Sequence, residues 1–157
     1  MKLPYLVALV PLVHAGLLSL PIAYSDIRHK RIYNRHSVPM ILVSLVFGIT
    51  ASAMSNEWSR FGYSFLLAML AFIGLCAISL LKGIGMGDVK LITAILLAVG
   101  WWSPLHALGI LVGTIGLTCL ITLAVYLTRF PLRLLPLAPI ILAWSIPLGY
   151  FAVVANV

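Results

Sequence analysis

Apolar runs long enough to cross a bilayer, each broken by a short polar stretch, recur along the whole chain. A helix needs about 20 apolar residues to cross the hydrocarbon core, and on that measure the pattern predicts about six spans. They fall near 3–24, 37–54, 62–81, 87–102, 104–127 and 137–156. The fourth is short, and Trp101-Trp102 at its end suits the aromatic belt of a membrane interface. The first run is not read as a cleaved signal peptide. It outlasts the usual apolar region of about 7–15 residues, Pro4, Pro11 and Pro21 interrupt it, and a strongly basic loop follows. The expected fold is all-α, a polytopic membrane protein built as a bundle of about six transmembrane helices.

Composition strengthens the membrane reading. The chain is 63% hydrophobic and only 8% charged. A soluble domain of 157 residues could not hide that much apolar surface, so the bilayer must be the solvent. The expectation is one membrane domain over residues 1–157, with no separate globular domain.

The net charge of +7 could suggest a nucleic-acid partner, but its distribution points to topology instead. Arg28, Lys30, Arg31, Arg35, Lys82, Lys90, Arg129 and Arg133 lie in or beside the loops after spans one, three and five. The opposite side holds only Lys2 and Arg60. The positive-inside rule then puts those three loops in the cytoplasm and both termini outside. Asp26 and Asp88 fall on the cytoplasmic side, and Glu57 on the other.

Those three residues are the only acids in the chain. Taken singly, Asp88 could cap the fourth helix, and Asp26 could pair with Arg28 or Lys30 in an exposed loop. Taken together they suggest function, because acids at membrane depth cost about 2.5–3.5 kcal/mol on insertion scales. Two carboxylates a few ångströms apart cannot both ionise, so they share a proton. The ionised partner can then take a proton from water while the protonated one polarises a peptide carbonyl, which is aspartic protease chemistry. Gly83, Gly85 and Gly87 beside Asp88 would allow positive φ and leave no Cβ between the backbone and a bound peptide.

Three motifs carry a family resemblance. "GMGDVK" (85–90) resembles the GxGDxK motif of type IV prepilin peptidases, membrane aspartic proteases that mature pilin precursors. "SDIRHKRIYN" (25–34) resembles their other aspartate motif, in which basic residues and Ile-x-Asn follow the acid. Tyr33 stands where many members have proline. "LPLAPII" (135–141) looks like the Pro-x-Ala-Pro stretch that opens their last helix. The resemblance implies that Asp26 and Asp88 are the catalytic pair, supported by Gly85, Gly87, Lys90 and Asn34, with Pro139 as a structural element. It implies no metal or organic cofactor. The implied partner is a prepilin or pseudopilin precursor with a basic leader, cut after a glycine that precedes a hydrophobic helix. The implied setting is the bacterial inner membrane, with the active site facing the cytoplasm. The layout, without paired CxxC motifs, looks like the short peptidases of Tad/Flp pilus systems.

Other candidates are weaker. Cys76 and Cys119 lie in apolar spans as packing residues. His14 and His106 suit buried hydrogen-bonded roles, and His29 and His36 have no recognised metal spacing. Ser25 is a local hydrogen-bond partner for Asp26, and Glu57 a solvated acid. The run "RHKR" reads as a loop anchored on anionic headgroups. Two other functions stay open: another GxGD peptidase, of preflagellin or signal-peptide type, and a transporter using the aspartates for protons or cations.

Overall fold

The computed structural model describes residues 2–29, 32–80, 85–128 and 138–156, with side chains in the third stretch as far as Leu120. Six helices follow in order: α1 (Leu3–His29), α2 (Asn34–Ser55), α3 (Trp58–Leu80), α4 (Met86–Gly100), α5 (Pro104–Thr128) and α6 (Ala138–Val154). By length and composition, α1, α2 and α3 can each cross a membrane. Pro104–Leu120 of α5 and the whole of α6 form shorter apolar helices. The chain is a multi-pass helical membrane protein. Gly83 and the basic residues Lys30, Arg31, Lys82, Arg129 and Arg133, used above for topology, lie outside the described residues.

The short fourth span has a structural reason. At 1.5 Å per residue α4 is only about 22 Å long, less than the ~30 Å hydrocarbon core. It is the central helix, packed against all five others. Every residue from Leu91 to Gly100 is buried. A helix that is apolar all round belongs in an interior, and its neighbours cover what its length leaves short.

Lipid tails are as apolar as leucine, so helices in a bilayer associate through close packing and hydrogen bonds. Small residues supply the contacts. Ala8 and Ala15 on α1, Ala51 and Ser52 on α2, and Ser64, Ala68 and Ala71 on α3 are all buried. Two serines add bonds across helices: Ser44 Oγ donates to the Ala94 carbonyl at 3.2 Å, and Ser64 Oγ to that of Leu97 at 2.7 Å. The tightest part of this seam is Gly100, where an added Cβ would meet the Ser64 Cα and Oγ at 3.0 Å. Backbone cannot rotate away as a side chain can. Gly100→Val should therefore destabilise the bundle by about 1–3 kcal/mol, read as a lower unfolding temperature in detergent. Gly62→Ala, with nothing within 4 Å of the new Cβ, is the control expected to stay near the parent.

Trp101 and Trp102 do not form an interfacial belt. Each is only 2% exposed. Trp101 Nε1 donates to Ser52 Oγ at 2.7 Å and Trp102 Nε1 to the Ala8 carbonyl at 3.2 Å. With both indole N–H groups satisfied internally, the rings can be buried whole. Tyr5 packs against both rings, with centroids 5.8 and 5.9 Å away. The Arg60 guanidinium lies over Tyr5 and Trp101 and pairs with Glu57 at 3.0 Å. Glu57 is thus a half-buried ion-pair partner rather than a freely solvated acid. This cluster closes the end where α1 begins and α4 ends. The starts of α2, α4 and α6 and the end of α1 gather at the other end.

Candidate functional site

α1 runs five residues past the predicted end of the first span, so Asp26 sits on a helix and not in an exposed loop. It is 8% exposed. The backbone N–H of Ala138, the first residue of α6, donates to Asp26 Oδ2 at 2.9 Å. The first amides of a helix have no partner within it, and Asp26 satisfies one of them from 112 residues away. The alternative of a pair with Arg28 is not met, because that guanidinium turns to the Tyr24 hydroxyl and ring. Lys30 lies outside the described residues.

Asp88 is the third residue of α4, and the helix cap is Gly85. The Asp88 carboxylate reaches back to accept a backbone hydrogen bond from Gly85, the returning half of a capping box. Its Oδ1 is buried, with no hydrogen-bond partner among the described residues. Asp26 and Asp88 are therefore held alike. Each carboxylate is tied by one backbone amide at the start of a helix, Asp26 by α6 and Asp88 by α4.

Both acids line one cavity of about 350 Å³. Ile32, Tyr33 and Asn34 wall it from the α1–α2 connection, and Gly85, Met86 and Gly87 from the start of α4. Of the six residues singled out from the motifs, Asp26, Asn34, Gly85, Gly87 and Asp88 line this cavity. The sixth, Lys90, joins it through Asn34, since its Nζ donates to Asn34 Oδ1 at 2.9 Å.

The glycines act differently from the expectation. No described glycine has a positive φ, and Gly85 is extended, with φ −70° and ψ 141°. The missing side chain matters for packing within the protein. A Cβ on Gly87 would lie 2.8 Å from the Ile32 Cβ, and one on Gly85 would lie 3.0 Å from Asp88 Oδ2. One glycine lets the connection dock on α4, and the other leaves room for the carboxylate.

Sequence reasoning missed Ala138 as a partner of Asp26. The available signal was the proline beside it. Pro139 lies in the first turn of α6, where a missing N–H leaves no helical bond unmade. Pro136, also in that motif, lies outside the described residues. His106 pairs with Ser103 Oγ at 2.8 Å, as anticipated. His14 Nε2 is buried and has no hydrogen-bond partner among the described residues. Cys76 packs on the core, but Cys119 is exposed on α5 and is not a packing residue. Among the described residues, no three His, Cys, Asp or Glu side chains gather as metal ligands.

A multi-pass helical protein with two carboxylates opening onto one small cavity at a single end of its bundle has the layout of a membrane aspartic peptidase. The chain belongs to the Type IV leader peptidase family, which it matches over residues 13–154. That stretch contains both aspartates and α6, and the family's members are aspartic-type prepilin leader peptidases. Membership favours proteolysis over the transport alternative and implies prepilin substrates. No curated protein and no solved structure matches the chain.

Proposed function

We propose that Asp26 and Asp88 are the catalytic pair and that they cut prepilin leaders at the cytoplasmic face of a bacterial inner membrane. The observation that supports this most is the shared cavity, onto which both carboxylates open. In the proposed reaction one carboxylate is ionised and the other protonated. The first accepts a proton from water as the water oxygen attacks the scissile carbonyl carbon. The second gives its proton to the carbonyl oxygen. The tetrahedral intermediate then collapses, the C–N bond breaks, and a proton from the pair goes to the departing amine. No covalent bond to the enzyme forms.

Orientation rests on charge. The connections between α1 and α2, α3 and α4, and α5 and α6, with the helix ends beside them, hold eight of the ten basic residues, which favours the cytoplasm for that end and the outside for both termini. The proposed substrate is a Flp-type prepilin or pseudopilin, on the strength of the resemblance to short Tad/Flp peptidases. Its own apolar helix would lie in the bilayer beside the bundle, with the scissile bond at the membrane edge. The test is to incubate the purified protein in lipid vesicles with Flp-type prepilin, preflagellin and signal-peptide substrates, then map each new N-terminus. The expected product is a single cut in the Flp-type precursor, after the glycine that precedes the hydrophobic helix. Preferential cutting of either other substrate would overturn the assignment.

A further inference from the structure

The cavity wall formed by Ile32, Tyr33 and Asn34 is attached to α4 at two points. Gly87 and Ile32 meet so closely that a Cβ at Gly87 would be 2.8 Å from the Ile32 Cβ and 3.3 Å from the Ile32 carbonyl oxygen. The second point is the Lys90–Asn34 hydrogen bond of 2.9 Å, between residues 56 apart in sequence. Tyr33, between Ile32 and Asn34, is extended, with φ −74° and ψ 139°. The two α4 attachments lie on either side of Asp88 in sequence. The segment they hold follows Asp26 by six to eight residues and begins three residues after the last residue of α1.

We propose that Lys90 is a positioning residue, whose bond to Asn34 pins the Ile32–Asn34 wall to the first two turns of α4 and keeps the Asp26 end of α1 in register with Asp88. This rests on the reading of Asp26 and Asp88 as the catalytic pair. Lys90 suits the task because its ammonium carries three donors on a long flexible stem. It can reach the acceptor at the start of α2 while its own backbone stays within α4. Asn34 suits it because its side-chain carbonyl accepts a hydrogen bond without adding a third acid to the site.

The test uses the full chain in lipid vesicles with a cleavable prepilin. Lys90→Met removes the donors and Asn34→Leu removes the acceptor at similar size. Each should lower kcat by roughly 10–100-fold with KM little changed, since small displacements of reacting groups carry penalties of that order. The double variant should be no worse than either single one, because one bond is lost in all three. Lys90→Arg, which keeps a donor, should restore most of kcat. Amide hydrogen exchange over residues 32–37 should quicken in Lys90→Met, and equally so when Asp88→Asn is also present. That last measurement tests the attachment even if the catalytic assignment fails. Unchanged exchange would overturn the proposal. So would faster exchange with unchanged kcat, or a raised KM in Lys90→Met alone, which would put Lys90 on the substrate.

Discussion

Asp26→Asn and Asp88→Asn should each remove prepilin cleavage while leaving a folded, membrane-inserted protein. A single general acid or base contributes roughly 10²–10⁴-fold. In the proposed reaction each carboxylate takes its turn with the shared proton, so either substitution should reach at least the upper part of that range. The double variant should be little worse than a single one, because groups that act as a unit lose their effect together. Folding should survive for a specific reason. An asparagine side chain keeps a carbonyl oxygen, so position 26 can still accept the Ala138 N–H and position 88 the Gly85 N–H. Unfolding temperature in detergent should therefore change little, and matched expression is a fair condition for the assay. Normal cutting by either variant would remove that residue from the chemistry.

Gly87→Val should impair the same site by a different route. The new Cβ would stand 2.8 Å from the Ile32 Cβ and 3.5 Å from its Cα. Neither is the end of a flexible side chain, so the connection itself must move. Forced overpacking of this kind costs about 1–3 kcal/mol, and here the displaced segment is one wall of the cavity. The expected outcome is a lower unfolding temperature together with loss of most cleavage, at unchanged helical content by circular dichroism. Gly109→Ala is the control, since nothing lies within 4 Å of its added Cβ and alanine favours a helix interior over glycine by about 1 kcal/mol. If Gly87→Val cut prepilin at the parental rate, the close docking of the α1–α2 connection would not matter to the site.

The two substitutions separate parts of the site that differ in how far the sequence revealed them. Asp26 and Asp88 were legible because acids are so scarce here that any two on one side of the membrane stand out. Lys90, Asn34 and the glycines were legible only as members of motifs, and their tasks were not. For Gly85 and Gly87 the idea of positive φ failed because a tight turn and a tight contact both call for glycine. Only the neighbour, Ile32 in the case of Gly87, tells them apart. The Trp101-Trp102 pair misled for a similar reason. Tryptophan at the end of an apolar run suits a membrane interface, but it equally suits an interior that offers Ser52 Oγ and the Ala8 carbonyl as acceptors. The boundaries erred where helices continue past the apolar run, as α1 does to His29. Hydropathy marks where the apolar residues stop, and a helix can carry polar ones for another turn.

By itself the sequence determined the solvent, the helix count and the placing of both aspartates at one end of the bundle. Each follows from quantities that add up along a chain: the length of an apolar run against the bilayer's thickness, and the parity of the spans between two residues. Tertiary structure alone decided that α4 is the buried centre, that the first amide of α6 holds Asp26, and that Lys90 reaches Asn34. Those depend on which faces of distant helices meet. In lipid, where apolar surface attracts no particular partner, that choice is made by the fit of small side chains and by a few hydrogen bonds. Neither leaves a periodic trace in the order of residues.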